Sequence, residues 1–240
     1  MVKKVLQTPD GISVEVKRTN RRKTVSLSVR DGEARILVPR YITQSRIVDF
    51  INRKSDWIRE KCEDHLQRPK MEPKIFNDGE QFLYLGRHYA LEVTQGSSSC
   101  VKMWRGKLMV WIDVARGGKK RRGHVRRQLV GWYQKCALER FLKRTQYYSE
   151  VLKVNVDPKK VGIRQYRSRW ASCSSEGVLR FNWKVIMAPS WVVDYVVVHE
   201  LAHLIHFNHS PRFWRCVGAV IPDYQMAQLW LKENAYRMTL

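Results

Sequence analysis

Acidic residues are scarce in this chain: 22 Asp and Glu stand against 45 Lys and Arg, which leaves a formal charge of +23 over 240 residues. A long apolar run is also missing. The longest nearly apolar stretch, Trp191-Val-Val-Asp-Tyr-Val-Val-Val198, is interrupted by Asp194 and is too short to span a bilayer. The first twenty residues hold basic groups with no apolar segment behind them, so no secretory signal is expected and the expected location is the cytoplasm. The five cysteines form no CxxC pair, and their odd number argues against a disulfide framework. What the chain does have is 44% hydrophobic residues, 11% of all residues being aromatic. That is enough to bury a core, and it excludes a disordered basic tail.

The positive charge is unevenly placed. Residues 1–150 hold 33 basic and 16 acidic groups, and residues 151–240 hold 12 and 6. The densest run, Arg116-Gly-Gly-Lys-Lys-Arg-Arg-Gly-His-Val-Arg-Arg127, contains seven basic side chains and no acid. Lys119, Lys120, Arg121, Arg122, Arg126 and Arg127 are therefore candidate phosphate contacts in a sequence-independent, salt-dependent association with nucleic acid. The simpler reading is a solvated loop entering a helix.

Periodicity divides the chain into a β-rich first part and a second part of different texture. Ile12–Val16, Val25–Val29 and Ala34–Val38 alternate as strands, with a turn at Asp31-Gly32. Thr43 can cap a helix running to about Leu66, through Ile47, Phe50, Ile51, Trp57 and Ile58. Gln67 to Asp78, polar and with two prolines, reads as a connector. Further strands are expected at Phe82–Leu85, Tyr89–Val93, Val101–Trp104 and Leu108–Ile112, with Arg105-Gly106 turning the last pair, and one long helix from about Arg122 to Val151. No internal repeat is evident. Beyond these, Val161–Arg164 and Val178–Trp183 are strand candidates flanking a Ser- and Gly-containing loop, Ser168–Gly177. The expectation is an α+β fold: a basic β-rich region, 1–118, and a second region, 119–240.

A helix capped by Ser190 runs into His199-Glu-Leu-Ala-His203. Residues i and i+4 share one helix face, so His199 and His203 can present two imidazole nitrogens to one metal ion. Glu200 points too far round to ligate, but it can reach a metal-held water as a general base. A third ligand is needed. His209, six residues after His203, has the spacing of a ligand that returns after a turn, with Asn208 able to end the helix in a left-handed conformation. His206 ranks second, because three ligands on one helix spread too widely for a compact site. Ser210-Pro211 opens a further helix, and Asp223 can cap a last one carrying Trp230 and Tyr236. Three imidazoles favour Zn2+ over hard-oxygen ions.

In its Ser168-Arg-Trp-Ala-Ser-Cys-Ser174 segment, its Phe181-Asn-Trp183 strand, its Asp194-Tyr-Val-Val-Val-His-Glu-Leu-Ala-His-Leu204 helix and the Asn208-His-Ser-Pro-Arg-Phe-Trp214 segment after it, the chain resembles the YgjP-like metallopeptidases, a bacterial family related to the SprT-like (Spartan) and WLM proteases. Arg21–Val29, Trp57-Ile58 and Tyr84-Leu-Gly86 extend the resemblance over nearly the whole chain. It departs at Ala171, where the family usually has glycine. The resemblance implies a zincin-like peptidase fold with His199, His203 and His209 on zinc and Glu200 as base, acting on a polypeptide substrate.

Further roles are read from the residues themselves. Arg169 is the candidate oxyanion donor, with a loop-anchoring role as its alternative. The Val178–Trp183 strand is expected to pair with an extended peptide at a sheet edge, with Asn182 contacting that peptide, while Trp170, Trp183 and Trp214 are expected in the core. Two other classes of function fit: a nucleic-acid-associated protease acting on DNA-bound or crosslinked proteins, and a non-catalytic zinc-containing nucleic-acid-binding module. The second requires a fourth protein ligand such as His206 or Cys173.

Overall fold

The computed structural model describes residues 4–20, 23–30, 32–67, 72–96, 99–113 and 121–240, in two compact units, Met1–Met71 and Glu72–Leu240. The division between them falls inside the connector expected from Gln67 to Asp78, whereas a boundary at 118/119 lies outside the described residues. The protein is α+β. No helix of the described residues is long and apolar enough to cross a membrane, and all five thiols are unpaired.

The first unit holds β1 (Lys4–Gln7), β2 (Ser13–Thr19), β3 (Ser26–Arg30) and β4 (Glu33–Pro39), then α1 (Gln44–Arg53) and α2 (Ser55–Gln67). The strands lie in the order β1-β2-β4-β3, with β2 and β4 parallel and the outer pairs antiparallel. Period-two alternation puts Val14, Val16, Ala34, Ile36 and Val38 on one face, where they bury Ile47, Ile51, Ile58 and Cys62 of the two helices. Thr43 caps α1 as expected. The single helix expected from Thr43 to Leu66 is in fact two. The Ser55 hydroxyl donates to the Asn52 carbonyl (2.9 Å), a local bond that competes with helix continuation, and Lys54 separates the pieces.

The second unit opens with β5 (Gln81–Tyr84), β6 (Arg87–Gly96), β7 (Cys100–Trp104) and β8 (Lys107–Asp113). Their order, β5-β6-β8-β7, and their directions repeat those of the first sheet. The chain thus carries one four-stranded topology twice, a repeat its residues do not advertise. The apolar face of this sheet, with Phe82, Leu91, Leu108, Val110 and Ile112, packs on Val125 and Leu129 of α3 (Arg121–Leu152). Farther along α3, Tyr133, Ala137 and Phe141 enter a second core. There Phe141 stacks on Phe181 at 4.4 Å between ring centroids.

That second core is built on β9 (Val161–Arg164), β10 (Ala171–Cys173) and β11 (Leu179–Asn182), followed by α4 (Ser190–Ala202), α5 (Pro211–Val220) and α6 (Tyr224–Asn234). The stretch expected as a loop between the flanking strands contains β10, which pairs antiparallel with β11 while β9 pairs parallel on the other side. β11 is therefore the central strand and β10 an edge, the reverse of the expected edge position. Ala171 adopts strand geometry opposite Phe181, which a side chain tolerates without strain. The turn Leu85-Gly86 docks this core directly: Leu85 N–H donates to the Ile186 carbonyl (2.9 Å) and Gly86 N–H to that of Met187 (3.0 Å). Gly86, at φ +79, would drive a Cβ to 2.9 Å from Pro189 Cα, so glycine is required where the turn meets the start of α4.

Candidate metal centre

α4 is apolar on nearly every side, and Val192, Val193, Val196, Val197, Val198, Leu201 and Ala202 are all buried. A helix of that kind runs through the core, not over it. Pro189, not Ser190, occupies its cap position, and no side chain bonds the first turn. The helix ends at Ala202, earlier than expected, with His203 at its C-cap. The chain then turns through bonds from Leu204, Ile205 and His206 N–H to the Leu201 and Ala202 carbonyls. No left-handed residue is used. Among the described non-glycine residues, positive φ occurs only at Phe76, Leu85, Arg105 and Lys153, so Asn208 does not reverse the chain. His209 follows, immediately before Ser210 and Pro211 start α5.

This path gathers three imidazoles. One ligand atom from each of His199, His203 and His209 lies within 4.8 Å of the others, and the Nε2 atoms of His199 and His209 are 3.0 Å apart. Zinc–imidazole bonds of about 2.0–2.1 Å require clustering on this scale, and neutral imidazoles are borderline donors that suit zinc. The fully buried Phe213 is the floor, with its ring centroid 4.7–5.0 Å from all three imidazoles. Trp214 stacks on His209 and Tyr224 stacks on Trp214. Trp214 thus walls the site in addition to packing, a role that reading it as core misses. Its position one residue after Phe213, in the first turn following Ser210-Pro211, was the available signal.

The cluster opens into a cavity of 340 Å³ whose walls include Arg169, Ser172, Cys173, Glu200 and Phe207. Glu200 is 6% exposed. Burial pushes its carboxyl up to about 7, against the opposing pull of the Arg169 guanidinium. Burial, with His203 and His209 adding to it, holds His199 down at about 3, and burial also lowers His203. Both helical imidazoles are accordingly neutral at neutral pH, the form that can bind a metal.

Other residues singled out from the sequence are dispersed. His206 lies outside the cluster and offers its carbonyl to His203 Nδ1 at 3.2 Å. Cys173 lines the cavity without joining the three imidazoles. Asn182 is 2% exposed and does not line the cavity. Its amide donates to the Tyr166 and Arg169 carbonyls (both 3.2 Å) and its oxygen accepts from Lys184 N–H, so it fastens the loop that carries Arg169. Both amide N–H groups are used inside the protein, which leaves Asn182 no donor for a peptide. The Arg169 guanidinium lies over the Tyr166 ring, and Tyr166 is tied to Ser172 of β10 through their hydroxyls at 2.7 Å.

The basic run is only partly visible, since Lys119 and Lys120 lie outside the described residues. Arg121 faces Asp78 at 3.9 Å, Arg122 donates to the Lys74 carbonyl, and Arg126 donates to the Leu240 carbonyl. These three brace the start of α3, while Arg127 is exposed.

No curated protein and no solved structure matches the chain. The family description "YgjP-like, metallopeptidase domain" does, over residues 23–234, and on that coverage the chain belongs to the YgjP-like metallopeptidase family.

Proposed function

We propose that the chain is a zinc-dependent peptidase in which His199, His203 and His209 hold the metal and Glu200 is the general base. The observation that carries this reading is a cluster of three imidazoles, not four ligands, that opens on a cavity walled by a buried carboxyl. A structural zinc site is ordinarily closed by a fourth protein ligand, and neither His206 nor Cys173 joins the cluster. Zinc bound there supplies Lewis acidity, which acidifies a water and polarises a carbonyl.

The chain's own groups do the rest. Glu200, with a carboxyl near 7, takes a proton from water in the cavity and returns it to the leaving amine. Arg169, the one Lys or Arg on the cavity wall among the described residues, is placed to donate to an oxyanion formed there. β10, an edge strand whose three residues all line the cavity, offers its backbone to an extended polypeptide. Backbone pairing makes binding tolerant of sequence.

The test is metal content and cleavage of an unfolded protein by wild type and Glu200→Gln. Retained metal with cleavage reduced at least about 100-fold supports the reading, and undiminished cleavage by the variant overturns it. The +23 charge favours a second reading, in which nucleic acid recruits the peptidase to proteins bound there. Equal cleavage of a DNA-binding protein with and without DNA at moderate salt would remove it.

A further inference from the structure

The sheet that carries β10 has one face in the core and one face outside it. Leu179 and Phe181 of β11 are fully buried in the core, and the register sets Cys173 and Ala171 of β10 opposite them. Side chains alternate along a strand, so Ser172, Arg180, Asn182 and Arg164 share the opposite, outer face. Tyr166 lies along that outer face. Its hydroxyl meets that of Ser172 at 2.7 Å, and the guanidinium carbons of Arg164 and Arg169 lie 5.8 and 5.5 Å from its ring centroid. Two exposed arginines thus flank one ring beside the edge strand. Neither forms an ion pair among the described residues, and residues 158–175 include five Lys and Arg and no acid.

Backbone register decides how a polypeptide meets this edge. Asn182 N–H donates to the Trp170 carbonyl (2.7 Å) and Ser174 N–H to the Val178 carbonyl (3.0 Å). Antiparallel bonds recur at every second residue, so Trp170, Ser172 and Ser174 turn their backbone groups toward β11. Ala171 and Cys173 turn theirs to the open side. An extended polypeptide paired there bonds to Ala171 and Cys173, and its residue opposite Ser172 makes no backbone bond. That residue shares the face of Ser172, so its side chain projects toward Tyr166, Arg164 and Arg169.

We propose that the site selects polypeptides carrying Asp or Glu at this outward position, and that Arg164 is a specificity-determining residue for it. The proposal rests on the peptidase reading above in treating the bound strand as substrate. A guanidinium held beside a ring by its charge keeps N–H donors for a carboxylate, which it takes at two points. Arg169 also walls the cavity, whereas Arg164, on β9, does not. Both side chains are exposed, so the selection is modest in size and weakens with salt.

Peptide binding tests this apart from cleavage. A neutral extended peptide with one Glu moved stepwise along it, and the matching Gln series, are titrated at low salt against Glu200→Gln with zinc added. Glu should bind about 3-fold or more tightly than Gln at alternate positions. Adding Arg164→Gln should abolish the difference and Arg164→Glu should invert it, and the Gln variant remains the test if the Glu variant does not fold. Lys232→Glu, which changes the net charge as much from an exposed position on α6, should leave the difference intact. Equal affinity for the Glu and Gln peptides, or an equal loss in Lys232→Glu, would overturn the proposal. So would an Arg164→Glu variant that weakens binding of an oligothymidylate and leaves the peptides unaffected, which would give this face to nucleic acid. A preference in binding with no cleavage of any of the peptides by wild type would remove the peptidase reading and leave the selection standing.

Discussion

Arg144 grips Asp194 at two points, Nε to Oδ1 at 2.6 Å and Nη2 to Oδ2 at 2.9 Å. The pair joins the last third of α3 to the first half of α4, five residues before His199. Tyr148 accepts a further bond from Arg144, and the rings of Tyr147 and Tyr148 each lie 4.8 Å from its guanidinium carbon. Both charged side chains are mostly shielded from solvent. Charge-assisted, two-point bonds of this sort are among the stronger polar contacts in proteins. Asp194→Ala should lower unfolding free energy by about 2 kcal/mol in denaturant titration. An unchanged midpoint would mean that α4 is held by its apolar packing alone.

The histidines that follow α4 should behave oppositely. His209→Ala removes an imidazole from the cluster and should weaken zinc binding by more than the roughly 100-fold that losing a supporting hydrogen bond can cost. His206→Ala leaves the backbone carbonyl that orients His203, so its affinity should stay close to wild type. Chelator competition on the two variants checks this, and a reversed order would return the third position to His206.

Asn182→Ala should act on stability before it acts on substrate. Three hydrogen bonds are lost, and the Tyr166 and Arg169 carbonyls and the Lys184 N–H are left without them. A cost of about 2–3 kcal/mol is expected. The measurement is the unfolding midpoint beside KM for an unfolded substrate. A raised KM at unchanged stability would restore Asn182 to the peptide site.

Acid should expose two opposed burial effects in the metal-free protein. His199 binds its proton near 6.5 when unfolded and near 3 when folded, so the unfolded chain holds the extra proton between those values and stability falls as pH drops. Glu200 moves from 4.5 to about 7 on folding, so the folded chain holds the extra proton and stability rises as pH drops through that range. The two largely offset each other between about pH 4.5 and 6.5. Glu200→Gln removes only the second effect. Its urea midpoint should therefore fall more steeply than that of wild type between pH 7 and 5, and parallel curves would contradict the assignment.

Much of the candidate centre was legible because its chemistry is local. His199 and His203 stand one turn apart on a helix whose apolar run is plain in the residues, and Ser210-Pro211 marks the helix start that pins His209 beside it. Alternation in the first 113 residues likewise marked seven of the eight strands there, and Arg105-Gly106 marked a tight turn. β1 escaped because four residues, three of them exposed, leave little alternation to read. Where the structure departs from the sequence reading, partners distant in the chain or in another element are responsible. Asn182 looked like a substrate contact because nothing local shows that the carbonyls of Tyr166 and Arg169, 16 and 13 residues earlier, consume its amide. β10 passed for a loop because three residues too short to alternate become a strand only through pairing with β11.

The +23 charge, the absence of a membrane-spanning run and the helical pair of histidines were set by the sequence alone, since each depends on composition or on spacing within one element. Tertiary structure decided that the two sheets share one topology, that β10 and not β11 is the edge, and that Phe213, Trp214 and Tyr195 surround the imidazoles. Those outcomes depend on which surfaces are buried together. Burial also moves Glu200 and His199 away from their ordinary protonation, because desolvation acts on a group through everything packed around it and not through its neighbours in the chain.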